Sequence, residues 1–116
     1  MIRFYDIKAY LDVIAAKNGH LDRSPHGRFW GDYTTFTTGQ VPGVGIPIMD
    51  QGNPLQSPFY LILTNPQGFQ GIPQMPPGGP FITDEGYQAT LPNGTQITGA
   101  QIATNIAQWL SNQFPQ

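Results

Sequence analysis

The chain has 116 residues, of which 39% are hydrophobic and 10% charged, with 14 Gly, 12 Pro and no Cys. These values suit one globular domain, 1–116, with long ordered loops; they exclude a charge-driven disordered chain, disulfides, thiolate zinc sites and covalently attached c-type haem. The net charge is −2 and all five basic residues (Arg3, Lys8, Lys17, Arg23, Arg28) precede Phe29, so no basic patch for nucleic acid and no polybasic membrane anchor is expected.

The first predicted element is a helix over "DIKAYLDVIAAKNG". Asp6 is placed as its N-cap, Ile7, Leu11 and Ile14 line one face, and Gly19 supplies the stop. "GDYTTFTTG" reads as a short helix capped by Asp32, with Tyr33 and Phe36 inward and Gly39 as its end. "QVPGVGIPIMDQGNP" is loop by composition. In "SPFYLIL", Ser57 sits at a cap and Pro58 at a first helical position, where a missing N–H costs nothing. The same apolar run suits a buried strand, and the Ser-Pro start signal decides for helix.

"TNPQGFQGIPQMPPGGP" is again loop, and Asp84-Glu85-Gly86 is a turn. "YQATLPNGTQIT" predicts a β-hairpin, two short strands flanking Pro92-Asn93-Gly94. The last element is the clearest. In "ITGAQIATNIAQWLSNQF", Thr98 and Gln101 have capping-box spacing and Ile97 and Ile102 hydrophobic-staple spacing. Ile102, Ile106, Trp109 and Leu110 make one apolar stripe. No apolar run approaches the roughly 20 residues that cross a bilayer, so no membrane insertion is expected. "MIRFYDIKAY" has no signal-peptide core, which leaves a cytoplasmic or an already processed chain.

Four segments in order carry a resemblance. "GNPLQSPFYLIL", "QMPPGGPF" and "AQIATNIAQWL" resemble the SPLY segment, the methionine loop and the closing helix of small bacterial cytochrome c domains. "SPHGRFW" stands where those domains carry their CxxCH haem-attachment motif. The resemblance implies a mainly α, cytochrome c-like helical domain with long Pro/Gly loops and one β-hairpin. It also implies that Met75 occupies the position of the axial haem ligand; were His26 the other ligand, a noncovalent His/Met haem site would follow. The chain departs from the family by having no cysteine and by inserting Ile82 to Gln96 before the last helix.

Two groups of residues carry candidate chemistry. Met75, in "IPQMPPGGPF", is either an axial ligand presented by a stiff loop or a thioether that fills a gap in the core; the second reading is adopted. "GHLDRSPHGRFW" is the densest polar cluster. His20 or His26 with Asp22 has the makings of a general base, and Arg28 beside Phe29 and Trp30 suits an anionic or aromatic ligand. No nucleophile is evidently paired with the histidines, and their spacing matches no metal motif. The simpler reading is an ordered loop with Phe29 and Trp30 as core anchors.

The expected function is therefore a non-enzymatic accessory or binding module, a haem-less cytochrome c-like scaffold that docks on a protein partner, with a redox enzyme as one candidate. Its interaction residues would come from His20, Asp22, His26, Arg28, Trp30 and Met75, with no catalytic residue and no cofactor. One alternative is an electron-transfer protein holding noncovalent haem between His26 and Met75. The other is a small enzyme using the His20, Asp22, His26 and Arg28 cluster.

Overall fold

A computed structural model describes residues 2–18, 29–41 and 45–116. The chain is mainly α, with four α-helices and one antiparallel hairpin among the described residues. Helix α1 (Phe4–Asn18) is followed by α2 (Tyr33–Thr38), a 3₁₀ turn (Pro54–Gln56), α3 (Pro58–Thr64), strands β1 (Gln88–Thr90) and β2 (Gln96–Thr98), and α4 (Gly99–Ser111).

Helix α1 begins earlier than its acidic residue suggested. Asp6 is not the N-cap; it lies inside the first turn, where its Oδ2 accepts the backbone N–H of Arg3 at 2.9 Å. The carboxylate still satisfies a helix-end donor, but from the third position reaching back. Gly19, its expected stop, lies outside the described residues. Ile7, Leu11 and Ile14 are buried as their spacing predicts, together with Tyr10 and Ala15.

The other helices start where their caps stand. Asp32 caps α2 by accepting the Thr35 N–H at 2.9 Å. Ser57 and Pro58 open α3, yet Ser57 makes no side-chain cap bond. Its buried hydroxyl donates to the Pro54 carbonyl at 2.6 Å and accepts from the Asp50 N–H at 3.0 Å, welding the preceding turn to the helix. At α4 the reciprocal box is complete: Gln101 N–H donates to Thr98 Oγ1 at 3.1 Å, and Thr98 N–H to Gln101 Oε1 at 2.9 Å.

The hairpin pairs Gln88 with Thr98, Ala89 with Ile97 and Thr90 with Gln96. Of the Asn-Gly pair only Gly94 takes a positive φ, +87°. Leu91 N–H bonds to Thr95 O and Gly94 N–H to Leu91 O, so Pro92 and Asn93 turn the chain and Gly94 returns it to the strand. The Asp84-Glu85-Gly86 turn forms as expected, with Asp84 Oδ2 accepting the Phe81 N–H at 2.9 Å.

One core joins these elements. The α4 stripe of Ile102, Ile106, Trp109 and Leu110 is fully buried. Phe36 stacks on Trp109 at 5.9 Å between centroids and meets Phe59 edge-on at 4.8 Å. Phe4 and Phe29 flank Phe36 at 5.9 Å and 6.4 Å. Such offset and edge-on pairs are worth about 0.5–1.5 kcal/mol each beyond the area they bury. No helix among the described residues is long and apolar enough to cross a membrane.

Two predictions follow from this packing and capping. A Cβ on Gly99 would run into the carbonyl of Ile82, a backbone group that cannot swing away. Gly99→Ala, normally a helix-favouring change, should therefore cost about 1–3 kcal/mol in urea unfolding. At Asp32 the bond from the Thr35 backbone holds the carboxyl below its usual pKa. That contribution is present above the ordinary carboxylate value and is lost as pH falls through the lowered one. Asp32→Asn keeps a capping oxygen, so a pH series of melts should show the native chain losing more stability on acidification than the variant.

Candidate functional site

The methionine loop runs from the end of α3 to the hairpin, and hydrogen bonds tie it down on both sides. Met75 N–H donates to Ile62 O at 2.9 Å, in the middle of α3. Gln74 is buried, and its Nε2 donates to Leu63 O at 2.9 Å and to Thr83 Oγ1 at 2.8 Å. From the far side Asn18, the last residue of α1, donates through Nδ2 to Pro77 O at 2.9 Å and Gly79 O at 2.7 Å. Pro76 is fully buried, and Gly78 and Gly79 have φ of +77° and +72°. The Met75–Pro76 and Gly79–Pro80 peptides are cis. The hydrogen bonds from α1 and to α3 make the loop a fixed bracket. Its Met75 side chain is half-buried and packs against the aromatic and aliphatic core.

Trp30 is the second candidate that the structure places. It is 4% exposed, and its indole Nε1–H donates to Asp12 Oδ1 at 2.8 Å. Asp12 Oδ2 lies 3.0 Å from Lys8 Nζ, one turn earlier on α1. Phe29 meets Trp30 edge-on at 5.1 Å and stacks on Phe36, so both residues anchor the chain to the core as the simpler sequence reading expects. The indole is spent on a structural hydrogen bond, with little surface left for a ligand. His20, Asp22, His26 and Arg28 lie outside the described residues. Among the described residues no group of three or more His, Asp or Glu is arranged to hold a metal ion.

A further feature was not singled out by sequence. An open groove of about 430 Å³ runs between α1 and the hairpin, lined by Val13, Ala16 and Lys17 on one side and Gln88, Ala89, Thr90 and Gln96 on the other. Lys17 Nζ sits 5.5 Å above the ring of Tyr87, which anchors the start of β1 in the core. The Tyr87 hydroxyl is buried without a hydrogen-bond partner among the described residues. Burial raises its pKa above the usual phenol value, and the charge of Asp84 adds to the shift. Tyr10 is also raised by burial, against the lowering effect of the Asn105 hydrogen bond.

Asn18 and the Trp30 bond of Asp12 escaped sequence reasoning because their partners lie far away in the chain, and Gln74 because its partners lie across a turn of the loop. Polar residues at a helix end, in a loop and on a helix face give no signal of such long-range bonds. No family model matches the chain, and no curated protein or solved structure is significantly similar to it.

Removing these anchors should be costly. Trp30→Phe keeps a ring but strips a donor from a carboxylate, and should lower stability by about 1.5–3 kcal/mol in denaturant titration. Asn18→Ala should cost about 1–2 kcal/mol and, more tellingly, speed amide hydrogen exchange at Gly79, whose N–H bonds to Pro76 O, over that of α4.

Proposed function

We propose that the chain is a non-enzymatic accessory or binding module, a cytochrome c-like scaffold without haem that docks on a partner protein, a redox enzyme being the first candidate. The fold-level part of this reading rests on the sequence resemblance together with a mainly α chain whose methionine loop follows a Ser-Pro helix and precedes a closing Trp helix. The observation that supports the haem-less part is the packing of aromatic rings in the core of the described residues. Phe36 and Trp109, both fully buried, stack on each other and gather Phe4, Phe29 and Phe59 around them. Met75 is half-buried and packs against the hydrophobic core, which supports a plug rather than an axial ligand.

No covalent attachment chemistry is available to a chain with no cysteine. The polarity of the surface agrees with a binding module: charged residues are scarce, and among the described residues the large exposed apolar side chains are Tyr5 and Leu55.

Haemin titration followed in the visible spectrum tests this. The module reading expects no saturable shift of the Soret band, and Met75→Ala should lower stability by about 2 kcal/mol through the gap it leaves. A saturable Soret shift that disappears in both Met75→Ala and His26→Ala would instead establish noncovalent haem and overturn the proposal.

A further inference from the structure

The hairpin has a free edge, and the groove runs beside it. Gly99 N–H donates to Tyr87 O and Leu91 N–H to Thr95 O, so residues 87, 89 and 91 turn their backbone groups toward β2. By the alternation of an antiparallel pair, Gln88 and Thr90 turn theirs the other way. Among the described residues no hydrogen bond reaches the N–H or the C=O of Gln88 or Thr90. These are two donors and two acceptors in a row, the pattern that accepts another strand. Helix α1 packs beside β1, and the groove between α1 and the hairpin is lined by Val13, Ala16 and Lys17, by Gln88, Ala89 and Thr90 of β1, and by Gln96 of β2.

We infer that this groove is a peptide site, in which an extended acidic segment of a partner protein adds to β1 as a third strand with a carboxylate set against Lys17. The inference rests on the reading of the chain as a binding module and names where and what it binds. Charge selects the acidic segment. Lys17 is exposed at the groove, held over the Tyr87 ring, and makes no ion pair with a carboxylate of the described residues. The small side chains of Ala16 and Ala89 leave room for a backbone to approach, and Gln88, Thr90 and Gln96 offer polar contacts to alternate side chains. A second copy of the chain fits this edge poorly. Each β1 is flanked by its own α1, so pairing two β1 edges would drive the two helices into the same space.

The test pans a phage-displayed library of random octapeptides against the whole chain, with Thr90→Pro panned in parallel. Proline at position 90 removes an N–H of the free edge and leaves the bonds of the hairpin intact. Enriched sequences should be rich in β-branched residues and carry Asp or Glu. A synthetic peptide of the leading sequence should slow deuterium exchange at the Gln88 and Thr90 amides. Its affinity should fall roughly tenfold in Thr90→Pro and about fivefold in Lys17→Glu, an exposed helical position whose change leaves the fold intact.

The inference is overturned if no sequence is enriched over the Thr90→Pro control, or if enriched peptides bind both variants as well as the native chain. It is equally overturned if sedimentation shows the chain pairing with itself through β1. Haem and peptide report separately. Haem binding through Met75 alongside protection of β1 by the peptide would remove the haem-less reading and keep this one. A chain indifferent to haem and to the library would do the reverse.

Discussion

One carbonyl oxygen, that of Pro115, receives both the indole N–H of Trp109 at 2.7 Å and the backbone N–H of Phe4 at 3.0 Å. It thereby closes the C-terminal tail over the start of α1 and fixes the ring at the centre of the core. The neighbouring carbonyl, that of Phe114, accepts the Tyr33 hydroxyl at 2.6 Å and brings in the first turn of α2. Three helices are thus referred to two successive residues of the tail. With its only polar atom satisfied, Trp109 can be buried completely at no desolvation cost, and it becomes the surface on which Phe4, Phe36 and Phe114 pack.

The consequence reaches the methionine loop. Among the described residues the loop is packed against a core rich in aromatic rings. Gln74, Met75 and Asn18 all serve to hold it there, through bonds to Leu63, Ile62, Pro77 and Gly79. A stiff Pro/Gly bracket of this kind can present a thioether to a metal or seal a core with equal geometry. The distinction lies in what stands on the inner side, and among the described residues that is the hydrophobic core. On the outside, the hairpin that precedes α4 offers an unpaired edge.

Much of the fold was legible because its signals are local. Thr98 and Gln101, Ile97 and Ile102, and the α4 stripe fixed a helix within a window of a few residues, and each group sits where its spacing placed it. Ser57-Pro58 rightly decided helix over strand for an apolar run that periodicity could not resolve. Asp6 misled because an acidic residue near a helix start serves either as the cap or as the third residue reaching back, and the difference lies in backbone angles. The site was less legible. Trp30 and Met75 were recognisable as inward-facing residues, but the bonds from Asp12 and Asn18 that fix their surroundings join residues distant in the chain. The free edge of β1 depends on hairpin register and on the approach of α1, and neither is written in any short motif.

Exchange of the Trp109 indole N–H, followed by NMR in deuterium oxide beside a urea titration of the same protein, tests the filled interior most directly. That proton is hydrogen-bonded to Pro115 and belongs to a fully buried side chain. It should exchange only through global unfolding, with a protection free energy equal to the unfolding free energy from urea. Exchange much faster than global unfolding, in a chain whose other α4 amides stay protected, would mean an interior that opens on its own. That result would contradict the account of a scaffold sealed by its own rings.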